Sequence, residues 1–222
     1  MSMSRPPGRP PGSSPKGIST RQHIIDAAAG VFAAIGYDRA RMADLVAATG
    51  MTKGAVYFHF DSKESLALAV LESKHQAWMD AVDRILQSAP DARTRLAALM
   101  PAMLTLHQED PSTWAVSRLI HNLTELESTR ERAAVLMRRW TGLVADLIRD
   151  AQRHGDIAST LDPDVAATVL VGAFDGLKAI HDTLGDGDEA FSAASALLNT
   201  MLLSYVAPEA LSAGRVRARS AP

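Results

Sequence analysis

Cysteine is absent from this chain of 222 residues, and its absence excludes disulfide frameworks, thiolate nucleophiles and cysteine-based zinc sites. The absence also fits a reducing compartment, so we expect a cytoplasmic protein. Long apolar runs are lacking too. None approaches the ~20 residues that a membrane span needs, and the N-terminus has no apolar signal core, so no membrane partner is expected. Hydrophobic residues still make up 47% of the chain, which is the normal share of a globular protein.

A basic excess is also missing, which at first sight argues against a protein that binds nucleic acid. The chain has 23 Lys and Arg against 25 Asp and Glu, for a formal net charge of −2. These charges are unevenly distributed. Residues 1–63 hold eight Lys or Arg and four acidic residues, a net of +4, whereas the remaining residues hold 15 and 21, a net of −6. The near-neutral total therefore conceals a basic N-terminal end and an acidic remainder.

Helical periodicity dominates the sequence between residues 19 and 206, and no strand pattern is evident. Glycine, proline and capping residues divide this stretch, so the sequence predicts an all-α fold of about nine helices. Residues 1–18 are rich in proline and lack a hydrophobic period, which predicts a disordered basic arm. A second disordered segment is expected at 208–222. Pro101 falls within the helix expected over about 92–107, where it predicts a kink or an offset.

A helix-turn-helix pattern lies in the basic end of the chain. Gly50-Met51-Thr52 separates two helices of about seven residues each, and the second helix of such a motif enters the major groove of DNA. This second helix, with the sequence TKGAVYFHF, places hydrogen-bond donors on its outer side and the apolar Val56 and Phe60 on its inner side. Donors of these types suit phosphate oxygens and guanine edges.

Residues 20–67, and above all the stretch TKGAVYFHFDSKESL, resemble the DNA-binding domain of the TetR family of transcriptional regulators. The resemblance implies a DNA-binding domain at 19–63 and a ligand-binding and dimerisation domain at 64–207. It implies a homodimeric repressor that binds a palindromic double-stranded operator, is released by a small apolar ligand, and has no catalytic residue, cofactor or metal. The DNA contacts that it implies are Arg41, Thr52, Lys53, Gly54, Tyr57, His59 and Lys63.

Family members dimerise through their last two long helices. The helix expected over residues 165–180 contains several small residues, which would allow a partner helix to approach closely. Packing of the same face within one subunit is the alternative. The dimer residues expected on this basis are Ala166, Val169, Gly172, Ala173, Gly176, Leu198, Met201, Leu202 and Tyr205.

Aromatic, methionine and polar residues of the middle helices predict an adaptable ligand pocket, although each of them can also be an ordinary core residue. The expected pocket residues are Met100, Met103, His107, Trp114, Ser117, His121, Met137, Trp140, Val144 and Phe174.

A narrower similarity connects the chain to the actinobacterial γ-butyrolactone receptor branch. It rests on Arg138-Arg139-Trp140, on Gly155-Asp156 and on VGAFDGLK at 171–178. It implies that Trp140 contacts a lactone or furan-type signal. The branch commonly has Thr-Gly-x-Gln where this chain has Asp175-Gly176-Leu177-Lys178, so an antibiotic or a biosynthetic intermediate stays open as the ligand.

Two other classes of function remain as alternatives. A TetR-like regulator without small-molecule control would have a collapsed pocket. A helical enzyme is disfavoured because the sequence has no Gly-rich phosphate loop after a strand and no His-Glu-x-x-His metal pair. The basic arm, with Arg5, Arg9 and Lys16, either enters a minor groove or serves as a solubilising tail.

Overall fold

A computed structural model of the chain describes residues 15–109, 112–185 and 187–204, with the backbone alone for residues 15–16 and 112–117. The described residues form nine α-helices, so the expected all-α fold is confirmed. Their bounds are α1 Pro15–Arg39, α2 Met42–Thr49, α3 Lys53–His59, α4 Lys63–Gln87, α5 Ala92–Glu109, α6 Ser112–Glu125, α7 Arg130–Arg153, α8 Pro163–Leu184 and α9 Gly187–Leu203. Within these residues no helix is both long and apolar enough to cross a membrane.

Local residues set the ends of the first helices. Gly36 interrupts α1 with φ 76° and ψ 164°, a conformation that glycine adopts without the steric cost of a side chain. Gly50 ends α2 in the left-handed region, and its amide donates to the carbonyl of Ala47. The Thr52 side chain then accepts a hydrogen bond from the amide of Ala55 and caps α3.

A histidine of α1 fixes the turn between α2 and α3. The Nε2 atom of His23 lies 2.9 Å from the carbonyl oxygen of Thr49, so this nitrogen carries the proton of the hydrogen bond. The Thr49 hydroxyl donates to the carbonyl of Val46 and accepts from the amide of Met51. These bonds hold α3 at a defined place on α1 and α2.

The described residues divide into two compact units. One unit holds the described residues up to His75 together with Trp114–Ala134; the other holds Gln76–Thr113 and the described residues from Val135 onward. The units therefore share α4, α6 and α7, whereas the sequence predicts a contiguous division after residue 63. Leu45, Val56 and Leu66 are fully buried residues of the first unit.

The second unit contains one continuous apolar cluster. It includes Leu99, Ile148 and Phe191, with α8 and α5 both packed against α9. Burial of a large apolar side chain contributes roughly 1.5–3 kcal/mol, so this cluster is a major stabilising feature of the second unit.

The sequence predicts disordered segments at both ends of the chain, and the described residues include part of the first one. The predicted disordered arm at 1–18 is wrong at its C-terminal end, because α1 begins at Pro15 and residues 15–18 are helical. Proline at the first helical position is compatible with a helix, since that amide has no intrahelical acceptor. Residues 1–14 and the predicted tail at 208–222 lie outside the described residues.

Candidate nucleic-acid interface and apolar sensor core

Helix α3 separates a buried side from an exposed side, as its sequence predicts. Val56 is fully buried and Phe60 is 4% exposed, whereas Thr52, Lys53 and Gly54 are exposed. The ammonium of Lys53 lies 5.4 Å from the centroid of the Tyr57 ring, which is itself 40% exposed. The structure thus leaves four of the five predicted α3 contacts (Thr52, Lys53, Gly54 and Tyr57) exposed to solvent, whereas His59 is partly buried with its ring against Phe58.

The remaining predicted DNA contacts flank α3. Arg41 is exposed at the N-cap of α2, where its amide donates to the Asp44 carboxylate over 2.9 Å. Lys63 opens α4, and its ammonium donates to the carbonyl oxygen of Tyr37 over 3.1 Å while lying 4.1 Å from the centroid of that ring. Lys63 is therefore anchored within the protein and keeps donor capacity for a phosphate, because an ammonium has three protons.

A hydrogen bond between Tyr37 and Glu64, the residue after Lys63, links the start of α4 to α1. The Tyr37 hydroxyl donates to the Glu64 carboxylate over 3.3 Å. The backbone amide of Glu64 lowers the pKa of its carboxyl, Ser62, Tyr37 and Lys63 lower it further, and partial burial opposes them. Burial raises the pKa of Tyr37, and the neighbouring carboxylates act in the same direction. At neutral pH the tyrosine is a neutral donor and the glutamate is ionised, which fixes the junction between α1 and α4.

The apolar cluster of the second unit collects most of the predicted ligand-binding residues. The Trp140 ring meets the Trp78 ring edge-on, with centroids 4.1 Å apart. Met100, Met103, Val144 and Phe174 are buried in the same cluster, and Met137 is partly buried against it. Trp140 is 6% exposed, so it is a core residue of the described structure as well as the proposed ligand contact.

Several titratable side chains surround Phe191, which is part of this cluster. The rings of His107 and His181 approach Phe191 at centroid distances of 5.5 and 6.1 Å. The ammonium of Lys178 pairs with the Asp182 carboxylate and lies 5.9 Å from the Phe191 centroid. Burial lowers the pKa of His107, Lys178 lowers it further, and Asp182 and Asp188 oppose both. His107 is therefore neutral at pH 7.

We expect His107 to make the stability of the protein pH-dependent. Because its pKa in the folded state is below 6.5, the unfolded state takes up this proton first as the pH falls. The contribution of neutral His107 is present above pH 6.5 and is lost below it. In urea denaturation at neutral and mildly acidic pH, His107→Gln should lose less stability on acidification than the parent chain. An equal loss in both proteins would contradict this assignment.

Other predicted pocket residues are placed elsewhere. His121 is exposed and belongs to the first unit, where it lines a cleft of about 430 Å³ with Tyr37 and Arg118. The structure does not gather it with Trp140 in the apolar cluster of the second unit. Trp114 and Ser117 belong to α6, but the structure describes only their backbone.

The predicted dimer residues separate into an outer face and a buried set. Val169 on α8 and Met201 on α9 are 61% and 59% exposed, and Gly172 and Gly176 are exposed between the apolar side chains of α8. Leu202 is instead 5% exposed in the core of its own subunit, and Leu198 packs against that core. The partly buried Ala166 also packs on this core, Ala173 is partly buried, and Tyr205 lies outside the described residues.

The correction on α9 follows from helical spacing. Leu198 and Leu202 are four residues apart and share the inward face with Ser195, whereas Leu197 and Met201 lie one position earlier and form the exposed stripe. Sequence alone could not distinguish these two stripes, because both are apolar. We define the outer α8/α9 face as Val165, Val169, Gly172, Gly176, Ile180, Leu184, Leu197 and Met201.

Several residues at these sites escape the sequence analysis. Trp78 is the ring that contacts Trp140, and a partner for it could have been sought on the apolar face of α4. Arg21 lies with its guanidinium 4.9 Å from the Phe60 centroid and lines a cleft of about 580 Å³ beside α3. Arg132, which pairs with Glu72, lines the same cleft. No local motif marks these long-range neighbours.

Comparison with known protein families gives two matches along the chain. Residues 24–70 match the model described as bacterial regulatory proteins of the tetR family. Residues 92–207 match the C-terminal model of BetI-type transcriptional repressors. The first match includes α2 and α3, and the second includes most of the helices that build the apolar cluster.

Individual relatives agree with these matches. The chain is 27% identical over 168 residues to the A-factor receptor protein of Streptomyces griseus, covering 75% of this chain but 56% of that protein's length. It is 30% identical over 166 residues to the HTH-type transcriptional regulator TtgR of Pseudomonas putida, covering 71% of this chain and 78% of the relative. A crystal structure of a gamma-butyrolactone receptor superimposes with a TM-score of 0.65 at 26% identity, covering 86% of this chain and 89% of the other.

Proposed function

Because this chain belongs to the TetR family of bacterial transcriptional regulators, we propose that it is a cytoplasmic homodimeric repressor that a small apolar ligand releases from a palindromic operator. In this proposal α3 of each subunit lies in a major groove. Two such helices related by a twofold axis read half-sites ~34–36 Å apart, or a multiple of one helical turn.

The observation that carries the proposal is the exposed surface of α3. Lys53, Tyr57 and the helix N-terminus at Thr52 are exposed together, and the buried Val56 anchors the helix from behind. Cations and donors on a short, well-anchored helix suit the phosphates and base edges of a major groove. Arg41 at the N-cap of α2 and Lys63 at the start of α4 belong to the helices before and after α3, and each carries a positive charge that suits a phosphate.

Selection from a randomised duplex DNA library tests the proposal. The chain should enrich a palindromic sequence at moderate salt in the presence of excess competitor DNA. Binding to that sequence should weaken steeply with salt, since each neutralised phosphate contributes a slope of about −0.9. Failure to enrich any sequence would remove the proposed function.

The apolar cluster supports ligand control. Aromatic rings such as Trp78 and Trp140, with pliable methionines such as Met137, form walls that accommodate an apolar molecule. We infer a γ-butyrolactone, a furan-type signal or a hydrophobic antibiotic as the ligand class. Release requires that the ligand prefer the conformer that does not bind DNA. Moving a 99:1 population to 1:99 needs a preference of ~10⁴-fold.

A thermal-shift screen against lactones, furans and hydrophobic antibiotics separates ligand control from the alternative of a regulator without it. A ligand of the proposed kind should raise the melting temperature and also release the selected DNA. Stabilisation by none of these classes would favour the alternative, in which the cluster around Trp140 is only a structural core.

We expect Val169→Asp to prevent dimerisation. Val169 is 61% exposed on the outer α8/α9 face, so a carboxylate there is tolerated in a single subunit but would be buried without a partner in the dimer. Sedimentation analysis should show a folded monomer with weakened operator binding. Val135→Asp is the matched control, because Val135 is 42% exposed on α7 and lies outside that face. A dimer that persists in Val169→Asp would relocate the interface.

A further inference from the structure

The outermost side of α3 carries an apolar ring. Phe58 is 62% exposed, in contrast to the buried Val56 and Phe60. Successive residues of an α-helix are rotated by ~100°, so Phe58 lies about 200° from Val56 and points almost directly away from the core. Burial in its own subunit therefore does not account for a phenylalanine at this position.

A glycine lies one turn before Phe58 on the same side of the helix. A Cβ atom at Gly54 would meet no atom within 4 Å, so packing inside the protein does not require glycine there. Glycine is less favourable than alanine in a helix, because it loses more conformational freedom on folding. The cost is explained if another molecule approaches the backbone beside Phe58, where a side chain would hold it away.

The neighbouring residues restrict Phe58 and indicate the chemistry of that molecule. The His59 ring meets the Phe58 ring edge-on at a centroid distance of 5.2 Å, which limits the positions of the phenylalanine. Lys53 is exposed on the same helix, and its ammonium suits the phosphates of a polyanion. The apolar group that bases expose in the major groove of DNA is the C5-methyl group of thymine.

We propose that Phe58 determines part of the operator sequence by packing against the C5-methyl group of a thymine. This inference rests on the proposed function, because it requires α3 to lie in the major groove. Phe58 supplies no hydrogen bond, so its contribution is the removal of its exposed ring and of the thymine methyl from water. Lys53 and Tyr57 supply the polar contacts beside it.

Replacing thymine by uracil tests the proposal, because uracil keeps the same base pairing and lacks only the methyl group. The probe is the duplex that the parent chain enriches from a randomised library, synthesised with each thymine replaced in turn. For the parent chain, replacement at one symmetry-related pair of thymines should raise Kd by about fourfold for each methyl group lost. Replacement at the other positions should change Kd little.

The variant Phe58→Ala completes the cycle. It should bind the thymine duplex more weakly than the parent chain does, and it should bind thymine and uracil duplexes equally at the sensitive position. The matched control is Val135→Ala, which removes an exposed apolar side chain from α7 and should retain the full dependence on the methyl group. An unchanged melting temperature would show that Phe58→Ala is folded.

Three results would overturn the proposal. Uracil replacement could leave the affinity of the parent chain unchanged at every thymine, Phe58→Ala could keep the parent's dependence on the methyl group, or the enriched site could contain no thymine. In each case sequence-selective binding survives, so only the role of Phe58 fails. If the parent chain enriches no sequence at all, the proposed function and this inference fail together.

Discussion

Replacing Lys53 with alanine should weaken operator binding by roughly thirtyfold or more, without lowering the melting temperature. Lys53 is exposed on α3, so the truncation opens no cavity in the core. A good contact to a base edge is worth ~1–3 kcal/mol, and a dimer loses one such contact at each half-site. Fluorescence anisotropy with the selected duplex measures the change in Kd.

Arg84→Ala is the control for this result, because Arg84 is exposed on α4 and its removal changes the net charge equally. If nonspecific charge alone held the DNA, both variants would lose the same affinity. The salt dependence then separates two roles for Lys53. Loss of a phosphate contact reduces the slope of log affinity against log salt concentration by about 0.9 per subunit. Loss of a guanine contact instead relaxes the sequence preference at one base pair of each half-site.

Replacing Trp140 with alanine should destabilise the protein by about 3–5 kcal/mol, the range for truncating a large buried aromatic residue. Trp140 is 6% exposed and loses its edge-on contact with Trp78, so the variant combines a cavity with a lost aromatic pair. Urea denaturation should show a lower midpoint with a similar slope.

Val135→Ala is the control for Trp140→Ala on the same helix, and as an exposed substitution it should stay within about 0.5 kcal/mol of the parent chain. A loss below ~1 kcal/mol in Trp140→Ala would contradict a core position. The milder Trp140→Phe keeps most of the volume. It should retain operator binding and show a weaker thermal shift with any ligand that contacts the tryptophan.

Local sequence signals predicted the helices of this chain well because their caps are encoded locally. Gly50 at the end of α2, Asp162 before α8 and Gly185 after it all adopt the cap conformations that their residue types favour. The start of α1 is different. Residues 15–18 lack a hydrophobic period but extend the helix that follows them, and the pattern of residues alone does not encode that extension.

The candidate sites were predictable where one short helix carries them and less so where distant segments meet. The outer residues of α3 follow from the buried Val56 and Phe60, both visible in TKGAVYFHF. The contact between Trp78 and Trp140 joins α4 to α7 and leaves no trace in either segment. Likewise, the inward turn of Leu202 depends on how α9 packs against α5 and α8, which its uniformly apolar sequence does not specify.

The most direct test of DNA-binding repression is a gel-shift experiment with the DNA upstream of the protein's own gene. The parent chain is compared with a variant that carries both Lys53→Ala and Tyr57→Ala, two exposed changes on α3. We expect the parent chain to give a shift that resists excess competitor DNA at moderate salt, and the variant to give none. No competitor-resistant shift, or an equal shift by both proteins, would contradict the role of α3 in operator recognition.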